Sequence, residues 1–157
     1  MKLAEALAER AAVVRHVEQL RARVVASARY QEGEAPAEDA GRLLDEVGRE
    51  LAELESLIRR VNRTNAAVTV GDEGTLTDAL ARRDVLRMRH AVVTAAADAA
   101  AGRDQRGMVV RQLRSELAML TALPVAELRD EADSLAREIR MLDVRIQRTN
   151  WEVDLLE

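Results

Sequence analysis

Apolar residues recur at helical spacing along four long stretches of the chain, and in the second and fourth the steps alternate between three and four residues. The second stretch carries Leu44, Val47, Leu51, Leu54, Ile58 and Val61. The fourth carries Leu128, Ala132, Leu135, Ile139, Leu142, Ile146, Thr149 and Val153. The first and third carry Leu3, Leu7, Val13, Val17, Leu20 and Val24, then Leu80, Val85, Met88 and Val92. This spacing places the residues on one side of a helix and is the seam pattern of coiled coils, so four amphipathic helices are predicted.

Helix-breaking and capping residues set the expected ends of these helices. Gly33 and Pro36 end the first helix, Thr75 with Asp78 forms a capping pattern, and Pro124 suits a first turn. We therefore expect helices at about 2–30, 37–64, 75–101 and 124–155. Runs of β-branched residues within 66–70 and 108–113 indicate short β elements.

The lengths of the connections predict how the helices are arranged. Short connections between long helices make neighbours antiparallel. The predicted fold class is all-α: an antiparallel four-helix, coiled-coil-like bundle made of two helical hairpins. A chain of 157 residues buries enough surface to form one domain, 1–157, without a metal or a disulfide.

Composition excludes several classes of protein. The chain has no cysteine, which excludes disulfides, thiol catalysis and Fe–S clusters. Its net charge of −4 argues against a nucleic-acid partner. Glu5, Glu9 and Arg10 interrupt any signal-peptide core, and no run approaches the roughly 18 apolar residues that span a bilayer. We expect a cytoplasmic protein without a membrane partner.

The two histidines do not form a metal motif. Di-metal helical bundles use Glu-x-x-His pairs, and here the residues three before His16 and His90 are Val13 and Arg87. The sequence also lacks a nucleophile motif and a glycine-rich phosphate loop. We therefore expect no metal, no cofactor and no catalytic residues.

The densest group of basic residues lies on the predicted third helix. Its members are Arg82, Arg83, Arg87 and Arg89. Ion pairing at four-residue spacing, as between Asp78 and Arg82, explains much of this group. No aromatic residues interleave to stack nucleic-acid bases, so the sequence favours a solvated charged face.

Two asparagines mark the ends of the second and fourth helices. Asn65 and Asn150 each follow a seam residue by four positions, which points them towards the interior. One interpretation is a ligand-binding site at these helix ends, made of Asn62, Arg63, Asn65, Arg148, Asn150 and Trp151. The other is that the two asparagines fix register or cap helix ends.

Several short segments resemble the septicolysin-like family, a group of small bacterial helical proteins of unknown function. They are residues 1–7, 31–34, 36–39, 62–65, 76–80, 83–86 and 150–151. The resemblance covers nearly the whole chain and weakens between Met108 and Leu123. It implies a helical, oligomeric protein, and the family name implies a cytolysin.

These observations favour a non-enzymatic structural or interaction protein that forms a homo-oligomer. Leu43, Leu57 and Leu156 are the apolar residues expected at the subunit contact. One alternative is a small-molecule-binding protein or enzyme with its site at the Asn65 and Asn150 helix ends. A second is a membrane-active cytolysin, although the chain lacks a cysteine, an export signal and a membrane-length segment. A different protein partner is a further alternative.

Overall fold

The computed structural model describes residues 1–103 and 120–157, and these contain four long α-helices. The helices are α1 (Leu3–Ser27), α2 (Ala40–Ala67), α3 (Leu76–Ala100) and α4 (Val125–Glu152), with a short 3-10 helix at Gly71–Glu73. The predicted all-α class is confirmed. Within 66–70, the expected β element is one antiparallel bridge between Thr69 and Thr75. The β element expected at 108–113 lies outside the described residues.

Local capping explains where the helices begin and end. The Asp39 carboxylate accepts hydrogen bonds from the backbone N–H groups of Gly41 (3.0 Å) and Arg42 (3.1 Å), so α2 begins at Ala40 and later than expected. Gly102, at φ 75°, lies just beyond the end of α3 in the left-handed conformation that stops a helix. Helices α1 and α4 both end earlier than their predicted limits of 30 and 155.

The chain divides into two compact units, residues 1–77 with 147–157 and residues 78–146. A single domain over 1–157 stays a prediction. In the first unit α1 and α2 pack antiparallel. Residues near the end of α1 lie beside residues at the start of α2. The Arg23 guanidinium hydrogen-bonds the Glu38 carboxylate, and His16 Nδ1 lies 3.4 Å from Glu50 Oε1. The buried apolar residues of the two helices are Leu3, Ala6, Val13, Leu20, Leu43, Leu57 and Val61.

In the second unit α3 and α4 form the other antiparallel pair. Ion pairs join them, among them Arg82–Glu138 (2.5 Å), Arg89–Glu131 (2.6 Å) and Arg87–Asp143 (2.8 Å), with Arg83 3.9 Å from the same Asp143 carboxylate. The basic group seen in the sequence therefore contacts carboxylates of α4. Two helical hairpins were predicted, and both helix pairs are present.

The predicted apolar stripe of α3 is wrong beyond Leu80, which is half-buried. Val85, Met88 and Val92 are each more than half exposed, whereas the alanine-rich face with Val93 is buried. The true core face also carries Arg83 and His90, both half-buried, which interrupt the apolar spacing that a sequence pattern detects.

The apolar surface of α2 extends around more of the helix than the face that packs against α1. The predicted seam residues Val47 and Leu54 are half-buried, and Val61 is buried. Leu43 and Leu57, expected at a subunit contact, are instead core residues. That expectation is wrong because the face of α2 towards α1 includes Leu43 and Leu57, each one residue before the predicted seam positions Leu44 and Ile58, which are exposed.

The two ends of the chain pair with each other. The Leu3 N–H donates to the Val153 carbonyl (3.0 Å), and the Leu155 N–H donates to the Met1 carbonyl (2.9 Å). The Lys2 ammonium lies 2.9 Å from Asp154 Oδ1. Leu3 and Leu155 are both buried. We call residues 1–3 and 153–156 the terminal clasp.

A buried threonine attaches the clasp to α2. Thr64 Oγ1 donates to the Arg60 carbonyl (2.8 Å) and accepts from the Leu156 N–H (2.9 Å). Thr64 is fully buried, so its hydroxyl depends on these two partners and not on water.

We expect Thr64→Val to lower the free energy of unfolding by about 1–3 kcal/mol, because it leaves the Leu156 N–H without an acceptor while preserving shape. Urea denaturation measures the change. Thr77→Val, the same substitution at an exposed helical position, is the control and should change stability by less than about 0.5 kcal/mol. Equal effects of the two variants would contradict the role of Thr64.

The clasp should also weaken in acid. The Lys2 hydrogen bond and charge lower the pKa of the Asp154 carboxyl below its ordinary value of 3.8. A lowered folded-state pKa gives stability that is present above the ordinary value and is lost as the pH falls below it. Wild type should therefore exceed Asp154→Asn in stability at pH 7, and the difference should vanish near pH ~2. Asp133→Asn is the control; a pH-independent difference for Asp154→Asn would contradict this account.

Candidate functional site

All six residues predicted for a ligand site lie in the unit formed by residues 1–77 and 147–157. Asn62, Arg63 and Asn65 are on the last two turns of α2, and Arg148, Asn150 and Trp151 are on the last two turns of α4. Among the described residues, no hydrogen bond or ion pair joins one of the six to another. The six share a unit, and a site made by them stays a prediction.

The two asparagines differ in burial. Asn150 is buried, whereas Asn65 is half-buried. The interior position at the end of α2 belongs instead to Thr64, which the sequence reasoning missed. Thr64 follows Leu57 by seven residues and Val61 by three, so its spacing from these two core residues was the available signal.

The remaining members of the predicted site are at the surface. Arg148 Nε donates to the Glu152 carboxylate one turn later (2.6 Å), and this hydrogen bond raises the pKa of the Arg148 guanidinium. Trp151 is largely exposed, as are Asn62 and Arg63. Arg148 therefore has an intrahelical partner, while Arg63 borders the groove described next.

A groove of about 530 Å³ runs along the second half of α2. It is lined by Ala52, Glu55, Ser56, Arg59, Arg60, Arg63 and Glu157. Arg63 is the one predicted site residue in this lining. Sequence reasoning missed Arg59 and Arg60, although the Arg-Arg-x-x-Arg run at 59–63 places three cations on neighbouring turns.

The arginines of the groove have unequal partners. Arg59 Nη2 is 2.6 Å from the Glu55 carboxylate. Arg60 Nε donates to the Leu156 carbonyl (3.3 Å), and its Nη2 is 3.7 Å from Glu157 Oε1. In the described part of the chain, the Arg63 side chain has no hydrogen bond or ion pair.

A second cavity, of about 350 Å³, lies along α3 and is bordered by His90, Thr94, Asp98 and Arg103. The Thr94 hydroxyl is shielded from solvent and has no hydrogen-bond partner within the described ranges. Because that oxygen is shielded, it is not available to a molecule entering the cavity.

A row of apolar side chains on α2 is open to solvent. Leu44, Leu51 and Ile58 recur every seven residues and are 57%, 47% and 38% exposed. We call these three residues the outer stripe. Gly48 and Ala52 border the outer stripe, and their small size leaves open space beside it. A Cβ added at Gly48 would meet no atom within 4 Å.

The described residues, 1–103 and 120–157, also bear on metal binding and on membrane crossing. Within these ranges, no three histidine, aspartate or glutamate side chains are grouped as metal ligands would be. None of the helices there has both the length and the apolar character needed to cross a membrane.

The fold matches a solved structure along its whole length. A crystal structure of a functionally unknown conserved protein from Corynebacterium diphtheriae has a TM-score of 0.87 and 36% sequence identity, and the match covers 99% of each chain. A comparison with curated proteins gives no match.

The resemblance to the septicolysin-like family is wrong. Neither the family comparison nor the structural neighbour points to that family. The resemblance rested on short segments at helix ends and loops, where a few matching residues have little specificity. A family model of another description matches residues 10–155, and the chain belongs to this family of unknown function, DUF6847.

Proposed function

We propose that this is a non-enzymatic interaction protein that acts as a homo-oligomer, with α2 pairing with α2 of a second copy through the outer stripe. The observation that most directly supports this proposal is that Leu44, Leu51 and Ile58, spaced seven residues apart, are exposed. They lie beside the face of α2 that packs against α1. A large aliphatic side chain at the same position of three successive heptads is one of the two apolar rows by which one helix packs against another.

A second copy suits this surface because the stripe is self-complementary. The stripe extends from residue 44 to residue 58, about 21 Å at 1.5 Å per residue. In an antiparallel pair centred on Leu51, Leu51 meets its own copy and Leu44 meets Ile58 of the other chain. Every apolar residue of the stripe then has an apolar partner.

Charge favours the antiparallel orientation. Glu55 borders the outer stripe, so a parallel pair would place two Glu55 carboxylates near each other. In the antiparallel pair the position opposite Glu55 is residue 47, and the nearest residue of the other chain that borders the stripe is Gly48, which has no side chain. Avoiding the like-charge contact supports this orientation.

An exposed apolar row on α3 is less suited to helix pairing. Val85, Met88 and Val92 lie on α3, near Arg82 and Arg89, which are committed to ion pairs with α4. Packing a helix over this row would desolvate those ion pairs, and this cost disfavours an interface there.

A second candidate function is small-molecule binding at the ends of α2 and α4. It is favoured by the shared unit of the six predicted residues and by the groove that Arg63 borders. The residues of this site, Asn65 and Asn150 included, stay proposals.

Sedimentation velocity tests self-association. We expect wild type to form a dimer at micromolar concentration and Leu51→Gln to weaken it by about 30-fold or more. Two symmetry-related Leu51 side chains each lose about 1 kcal/mol of burial, and about 1.4 kcal/mol corresponds to tenfold.

Val25→Gln is the matched control, because Val25 is an exposed apolar residue on α1, outside the outer stripe. It should leave the dimer intact. A wild type that is monomeric at about 100 µM, or a Leu51→Gln variant that dimerises as wild type does, would contradict the proposal.

A further inference from the structure

Three guanidinium groups share one groove on α2. Arg59 and Arg63 are one helical turn apart, with Arg60 beside them, and all three line the 530 Å³ groove. Cations four residues apart on a helix repel each other, so this arrangement costs stability when no anion is present.

The carboxylates nearby compensate this charge only in part. Glu55 pairs with Arg59, and Glu157 lies 3.7 Å from Arg60 with its side chain fully exposed. Arg63 has no partner among the residues that the structure describes. The far end of the groove therefore presents uncompensated positive charge.

The groove is also partly preorganised. The Leu156 carbonyl accepts from Arg60 Nε, and the Leu156 N–H is held by buried Thr64, so the terminal clasp orients the Arg60 guanidinium. Ala52 and Ser56 are small and leave the floor open. The volume lies within the roughly 300–1,000 Å³ usual for small-molecule sites.

We infer that this groove binds a small molecule carrying a phosphate group, held by Arg60 and Arg63. A phosphate offers three acceptor oxygens on one centre, whereas a carboxylate offers two, and converging guanidinium groups match the larger number. Arg59 adds charge at the rim, and Ser56 adds a hydroxyl donor. The inference rests on the second candidate function and does not depend on self-association.

Pyrophosphate is the probe, titrated by calorimetry and by ¹H–¹⁵N NMR in about 0.15 M salt. We expect saturable binding with shifts concentrated at residues 52–63. Arg63→Ala should weaken the affinity about tenfold, the effect of losing one charge-assisted contact. Arg42→Ala is the matched control, because Arg42 is an exposed arginine on the same helix outside the groove, and it should change affinity less than twofold.

The same titration separates the groove from the helix-end site. The Leu51→Gln variant should bind pyrophosphate as wild type does, because Arg60 and Arg63 belong to one chain and lie beyond residue 58, where the outer stripe ends. If Asn65→Ala and Asn150→Ala weaken binding while Arg63→Ala does not, the helix-end site stands and the groove is overturned. An absence of saturation up to about 10 mM, or equal losses in Arg63→Ala and Arg42→Ala, also overturns the inference.

Discussion

The packing of α2 against α1 buries one face of a helix that is apolar over more than one face. Leu43, Leu57 and Val61 are in the core, while Leu44, Leu51 and Ile58 are left in solvent. A helix of this kind is stable in the single chain because its inner face suffices for the hairpin. Its outer stripe still carries the cost of hydrating large aliphatic groups, which a second apolar helix would remove.

The terminal clasp adds a second constraint on α2. Thr64 bonds the Leu156 N–H, and the Leu156 carbonyl accepts from Arg60, so one short segment satisfies buried polar groups and orients a surface cation. Leu3 and Leu155 bury apolar surface beside these bonds. The stability of this unit and the geometry of the arginine groove therefore depend on the same few contacts.

The apolar stripes of α1 and α4 made much of the fold predictable, because their residues coincide with the buried and half-buried faces of these helices. Helix α3 was misassigned because Arg83 and His90 interrupt its core face and alanines carry a weak apolar signal. In α2 the seam was real, but spacing alone does not say which side of a wide apolar arc meets α1. The candidate site was harder to predict than the helices, because the terminal clasp joins residues far apart in sequence. No local sequence pattern indicates that the Leu156 N–H bonds to Thr64.

Disulfide trapping tests the pairing of α2 most directly, since the native chain has no cysteine to interfere. In an antiparallel pair centred on Leu51, Leu51→Cys brings two thiols together, whereas two copies of Leu44→Cys are about 21 Å apart. A disulfide requires Cα atoms within about 7 Å. The account predicts an oxidised dimer for Leu51→Cys and none for Leu44→Cys. No cross-link at Leu51→Cys, or equal cross-linking of both variants, would contradict it.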